Sequence, residues 1–351
     1  MSASTATKST TTPQRAGSRD RSVELDREPP VCAAADQVVS NASASVVDAR
    51  SADVSRRRSY QMRYYATAVR SVCRRHRFTV PADQLTYRTE VRVSPTLQQQ
   101  WLRLFGVPSA ARPYFTYFTT SGTSLFMRML TDLGINLRHV LHLTSEMRFL
   151  ETVEPHPYRG IHQRMSARIT GVSVVGDARV CISVEHELTS TSDRPLQRSR
   201  ETFVIGGISR TTMDEIRDIA TPAPFDLRRI ITRKPRLGGR SDVHRARFAI
   251  GHDAGLRYGI VSGDLNMVHT TRIAAKLFGY RGAFLQGLGT ANHVLADVAR
   301  YGPNNLQAFD VTFTRPLFLD QTVELARDQH DFEVTDERRQ MVAYGRYASA
   351  G

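Results

Sequence analysis

Along the chain the hydrophobic pattern passes through three regimes. Residues 1–54 show no period, contain no aromatics and are rich in Ser, Thr, Ala and charge. Such a segment cannot bury enough surface to offset chain entropy, so a disordered tail is expected. In residues 121–133 (S-G-T-S-L-F-M-R-M-L-T-D-L) apolar positions recur at helical spacing and stop at Gly134. Alternating runs at 139–149, 163–175, 178–188 and 200–205 then predict strands, with Gly176-Asp177 as a tight turn between two of them.

A polar connector near residues 209–224 holds two prolines, and a second periodic region follows it. Residues 283–300 predict a helix that is apolar on most sides and therefore buried. Strands are expected at 307–314, 322–326 and 341–347. Helix followed by antiparallel strands, twice, is an α+β pattern, and two copies of one architecture in tandem is the economical reading. No residue-level repeat accompanies it. The expected units are a basic N-terminal region at 1–76, a first fold at 77–207, a linker at 208–224 and a second fold at 225–351.

Composition changes this picture in one respect. The formal net charge is +14, which favours an anionic partner. Residues 1–78 hold 14 Lys/Arg against 7 Asp/Glu, so half of that excess lies outside the expected folds. Residues 56–77 carry eight arginines, no acid, and interleaved Tyr and Val. Three readings stay open for them: a mitochondrial import segment, a solvated basic linker, or an arm contacting RNA. Import would make the chain mitochondrial, with the cytoplasm as second expectation; Asp20, Glu24, Asp26 and Glu28 are unusual in a presequence. The odd, widely spaced Cys32, Cys73 and Cys181 give neither a disulfide framework nor a zinc motif. No apolar run is long enough to span a bilayer, and no signal peptide is expected.

Residues 258–269, Y-G-I-V-S-G-D-L-N-M-V-H, set Asp264, Asn266 and His269 within six positions beside apolar sequence. Polar groups at that density need a reason. With the positions that follow, they resemble the signature of the MaoC-like, R-specific enoyl-CoA hydratases (hydratase 2). The matching positions are Tyr258, Ser262, Gly263, Asp264, Asn266, Val268, His269, Ala274, Ala275 and Phe278. Residues 284–289 resemble the family's later helix start, with Gly287 at its glycine, and 309–317 (F-D-V-T-F-T-R-P-L) the strand after it. Two positions depart: Met267 stands where Pro is usual, and Gln286 where His usually precedes the helix glycine.

The resemblance implies a tandem (double) hotdog, in which each antiparallel sheet wraps a central helix and only the C-terminal copy carries the motif. It implies a hydro-lyase that interconverts 2-enoyl and (R)-3-hydroxyacyl thioesters of coenzyme A or acyl carrier protein, without metal or other cofactor. Hydration needs a water deprotonated as it attacks C3, a proton at C2, and stabilisation of charge on the thioester oxygen. Asp264 and His269 are the expected pair on the water. Asn266 is expected to brace the loop or the water, or only to make a turn. The backbone N–H of Gly287, at a helix N-terminus, is the implied oxyanion donor.

Phe115, Phe118, Leu125, Phe126 and Met129 are candidates for an acyl-binding wall contributed by the first fold. Arg272, Lys276 and Arg281 either meet phosphates or an acidic carrier, or form a solvated face. A homodimer is a further expected partner. The alternative function is a catalytically silent hotdog in an organellar ribonucleoprotein, the one reading that involves nucleic acid. A thioesterase ranks last, because it has no need of the Asp-x-Asn-x-x-His spacing.

Overall fold

The computed structural model describes residues 46–48, 86–107, 125–126, 129–130, 132–135, 139–151, 161–218, 220–302 and 305–350. The arginine-rich segment 56–77, nearly all of the N-terminal tail, and Phe115 and Phe118 lie outside the described residues.

The N-terminal half runs β1 (Thr86–Val93), α1 (Pro95–Phe105), β2 (Val140–Phe149), β3 (Ile161–Val175), β4 (Arg179–Ser190) and β5 (Pro195–Ile205). Between α1 and β2, the described residues Leu125, Phe126, Met129, Leu130 and Asp132 are helical, and the chain turns left-handed at Gly134. α2 (Arg210–Arg217) follows, its Ser209 cap accepting from the Thr212 N–H, with Met213 and Ile216 buried.

The C-terminal half runs β6 (His244–Ile250), α3 (Ala254–Ser262), α4 (Met267–Thr270), α5 (Arg272–Leu277), β7 (Phe284–Leu285) and α6 (Gly287–Tyr301). It continues through β8 (Leu306–Phe313), β9 (Leu317–Phe318), β10 (Gln321–Arg327), β11 (Asp331–Thr335) and β12 (Met341–Ser349).

The sheet order is β1-β3-β4-β5-β2-β8-β12-β11-β10-β6, with the short strands Val46–Asp48 and Thr221–Pro222 added in parallel to β1 and β3, and with β7 and β9 paired separately. Within each half the long strands, numbered along the chain, lie in the order first, third, fourth, fifth, second. The repeat is therefore complete in topology although the sequences show none. The halves join at their second strands, β2 and β8, which run antiparallel with Met147 opposite Phe309 and Ser145 opposite Val311. This is the tandem hotdog that the sequence resemblance implies.

The central helix of the C-terminal copy is α6. Val294, Leu295 and Val298 are at most 1% exposed, and each such side chain contributes about 1.5–3 kcal/mol through burial. Asp297 is the charged exception: its Oδ2 accepts from Arg327 Nε at 2.5 Å and its Oδ1 lies 3.2 Å from His244 Nε2. A charge on a buried helix face is tolerated only with such partners. The helix starts four residues later than the pattern at 283–300 predicts. Phe284 and Leu285 are instead extended and pair with Phe318 and Leu317. There the Phe284 carbonyl accepts from His269 Nδ1 at 2.8 Å.

Burial makes the fold acid-sensitive. His186, on β4, is 4% exposed, and burial pushes its pKa down to about 4, with Glu201 pulling it up and His142 pushing it further down. His293 on α6, stacked against Phe248 and less deeply buried, is also pushed down to about 4 by burial. The unfolded chain binds these protons near pH 6.5, so between there and 4 it holds more protons than the folded chain. Stability is therefore fully present above the unfolded pKa and is lost as pH falls. His186 alone accounts for up to about 3 kcal/mol of that loss. Urea midpoints measured between about pH 6.5 and 5, where most carboxylates stay ionised, should fall with pH and fall less in His186→Gln.

Candidate active site

The motif occupies a tight excursion between two helices. α3 ends at Gly263, whose φ of 79° is a left-handed stop that glycine adopts without a Cβ penalty. The Asp264 N–H then donates to Ser262 Oγ at 3.2 Å, and Asp264 Oδ1 accepts the Asn266 N–H at 3.3 Å. Asn266 is the N-cap of α4, its Oδ1 accepting from the Val268 N–H at 3.4 Å. Asn266 thereby caps the short helix and also lines the cavity described below. Met267 is thus the first residue of a helix, where an amide N–H has no intrahelical partner in any case. The departure from Pro therefore leaves the loop hydrogen bonds intact.

His269 lies on α4, is 9% exposed, and meets Phe284 edge-on with ring centroids 4.7 Å apart. Its Nδ1 is 2.8 Å from the Phe284 carbonyl, which can only accept, so Nδ1 carries the hydrogen. In the neutral ring this leaves the lone pair on Nε2. Burial holds the His269 pKa below the usual histidine range, against the opposing pull of Asp264 and of the Phe284 carbonyl. The neutral, Nε2-basic imidazole is therefore the form present at neutral pH. Asp264 Oδ2 lies 3.9 Å from Nε2, too far for a direct hydrogen bond. One water oxygen can sit about 2.8 Å from both atoms.

Gly287 opens α6, and the preceding Gln286 makes no side-chain cap. An added Cβ at Gly287 would come within 3.2 Å of the Phe313 ring, so a larger residue would crowd the helix start. A cavity of about 500 Å³ joins these pieces, lined by Asp264, Asn266, His269, Gln286 and Gly287 from the C-terminal half. The same cavity is lined by Phe126, Leu130, Leu143 and Phe203 from the N-terminal half. Of the expected acyl-wall residues, Phe126 lines it, whereas Leu125 and Met129 are buried in the core. Arg272, Lys276 and Arg281 do not line it; the Arg281 guanidinium lies 3.9 Å over the Phe318 ring.

Two features of the site are not evident from the motif. Gly255 and Gly259, four apart on α3, face the loop: an added Cβ would lie 2.0 Å from the His269 carbonyl oxygen at the first and 2.7 Å from that of Asp264 at the second. The Gly-x-x-x-Gly spacing was the available signal, since it clears one stripe of a helix. The second is Gln286, 3% exposed, whose Nε2 donates to the Asp264 carbonyl at 2.8 Å and the Gly255 carbonyl at 3.1 Å. It ties the start of α6 to the catalytic-type loop and to α3. Gln286→Leu should destabilise by about 2–4 kcal/mol, by leaving buried carbonyls unpaired, and should lower any turnover with it. Chemical denaturation followed alongside activity checks this; Gln286→Glu, which cannot donate from an ionised carboxylate, should not restore either.

Residues 237–348 match the family described as MaoC like domain. The chain carries a MaoC-like domain. Among curated relatives, 3-hydroxyacyl-thioester dehydratase X of Mycobacterium tuberculosis is 41% identical over 69 residues, which take in 20% of this chain and 24% of that protein. The crystal structure of HtdX from the same organism aligns at TM-score 0.56 and 18% identity, covering 76% of this chain and all of that one. The peroxisomal multifunctional enzyme type 2 of Drosophila melanogaster aligns at 0.54 and 18%, covering 75% of this chain and 48% of that one. A MaoC-like dehydratase from Phytophthora capsici aligns at 0.54 and 12%, covering 78% and 96%. At these identities the structural likeness concerns the fold, and it extends beyond the MaoC-like domain into the N-terminal half. Among the described residues no helix is long and apolar enough to cross a membrane.

Proposed function

We propose that the MaoC-like domain hydrates 2-enoyl thioesters of coenzyme A or acyl carrier protein to (R)-3-hydroxyacyl thioesters, and catalyses the reverse dehydration. The observation that carries this reading is the fixed tautomer of His269: Nδ1–H is held by the Phe284 carbonyl, so a basic Nε2 sits 3.9 Å from Asp264 Oδ2. A water donating its two hydrogens to Nε2 and Oδ2 keeps a lone pair for C3. As the O–C3 bond forms, the pair takes one proton from the water and returns one proton to C2. H and OH are thereby added across the double bond with no net change in the protein. Charge developing on the thioester oxygen is met by the Gly287 N–H, one of the orphan donors at the N-terminus of α6. An acyl chain that displaces water from the cavity would strengthen each of these interactions.

The names of the relatives support a thioester hydro-lyase, and the MaoC-like match supports placing it in residues 237–348. The test is loss of the enoyl-thioester absorbance when purified protein meets crotonyl-CoA, longer 2-enoyl-CoAs or the matching carrier-protein thioesters. Because His269 must be neutral to accept a proton, and burial lowers its pKa, the acid limb of kcat/KM should fall below the ordinary value of about 6.5. Absence of turnover over all chain lengths and both carriers would remove this reading.

A further inference from the structure

We propose that the N-terminal wall of the cavity holds a second binding site, a His142–Glu201 pair whose His142 Nδ1 receives a hydroxyl carried on the acyl chain of the substrate. This rests on reading the Asp264–His269 end as the thioester end. The wall that meets the acyl chain should be hydrocarbon if the acyl group were a plain alkyl chain. It is not. His142, His186 and Glu201 all line the cavity.

Strand register brings these side chains together. In β5, Glu201 pairs with Ser145 of β2 and Val184 of β4, and Phe203 pairs with His142. Alternate strand residues share a face, so His186, opposite Ser199, lies on the same side as Glu201. His142 and Ser145 are three apart and would normally face opposite ways. A register shift between His142 and Thr144 puts both on this face, the kind of irregularity that re-aims a side chain.

The chemistry there is built and incomplete. Glu201 is 1% exposed; its Oε1 accepts from Ser145 Oγ at 2.9 Å and its Oε2 lies 2.7 Å from His142 Nε2. That same Nε2 is 2.9 Å from the Thr144 carbonyl. Facing two acceptors, Nε2 carries the hydrogen. The other ring nitrogen, Nδ1, has no hydrogen-bond partner among the described residues, and Ser199 Oγ, buried on the same face, has none either. The His142 ring is stacked on Phe203 at 4.6 Å and meets Phe313 at 5.0 Å. Phe313 in turn lies against Gly287, so one phenyl ring separates His142 from the start of α6. An alkyl chain laid on His142 would strip water from Nδ1 and return nothing, whereas a chain hydroxyl donates to it.

The test is calorimetric binding of saturated acyl-CoAs, which cannot be hydrated: one plain chain, and chains of equal length with a hydroxyl moved one carbon at a time from C4 outward, leaving out C3, where the catalytic pair acts. Wild type should bind the best-placed hydroxyl compound about tenfold tighter than the plain chain or better. His142→Phe, which keeps the ring stack, should abolish that preference and leave the plain chain bound as well as before or better. Equal affinity at every hydroxyl position, or a preference that survives in His142→Phe, would overturn the proposal. Should that variant not fold, the wild-type series decides alone. Enoyl hydration by the same preparations separates the two readings. A binding preference without turnover keeps this site and loses the hydratase, and turnover without a preference does the reverse.

Discussion

Asp264→Asn and His269→Gln should each lower kcat/KM for enoyl-thioester hydration by about 10²–10⁴ while leaving the protein folded. Asparagine keeps an oxygen for the Asn266 N–H, which Asp264 Oδ1 now accepts at 3.3 Å, and so preserves the turn. Glutamine can still donate to the Phe284 carbonyl in place of Nδ1. What each loses is basicity at the water. Because the two groups share one water, their effects should not add: the double variant should be little worse than the poorer single one. Steady-state kinetics with circular dichroism as a folding control measures this. Near-wild-type turnover in either single variant would remove that residue from the chemistry.

Gly255→Ala should be nearly as damaging although Gly255 makes no hydrogen bond to substrate in this scheme. Its Cβ would stand 2.0 Å from the His269 carbonyl oxygen and 2.9 Å from the carbonyl carbon. These are backbone atoms with no flexible tip to swing away, so α4 must move or α3 must shift. Displacing a reacting group by about 1 Å costs about 10²-fold in rate. Overpacking adds about 1–3 kcal/mol of destabilisation. Gly259→Ala, at 2.7 Å from the Asp264 carbonyl, should be a milder version of the same defect. Gly238→Ala, with nothing within 4 Å, is the control that should leave activity and thermal midpoint unchanged. Indistinguishable rates for Gly255→Ala and Gly238→Ala would mean that the position of His269 does not limit turnover.

The α+β class, the strands from β2 to β5, and β8, β10 and β12 were legible because alternation with period two survives wherever one face of a strand is buried. β6 and β11 were not, although both alternate charged and apolar residues, His-Arg-Ala-Arg-Phe-Ala-Ile and Asp-Phe-Glu-Val-Thr: each alternating run is short. In β11, Glu333 is 4% exposed yet sits comfortably, because its carboxylate accepts the N–H groups of Arg236 and Leu237. Such a partner, 96 residues away, is invisible to a local pattern. α3 escaped notice for a related reason: its glycines, read locally, weaken a helix, and their use is in what packs against them.

Asp264, Asn266, His269 and Gly287 could be proposed in one dimension through the resemblance to a family motif, whose short spacing places three of them in one loop. Their relation to each other could not. The tautomer of His269 depends on a carbonyl fifteen residues on, and the tie through Gln286 reaches back 22 and 31 residues. The polar wall at His142 and Glu201 depends on strand register in the other half of the chain. Residue identity sets which chemistry is available at a position, and that is local. Which nitrogen bears the proton, and which wall the substrate meets, follow from distances between segments that only the packed sheet and helices bring together.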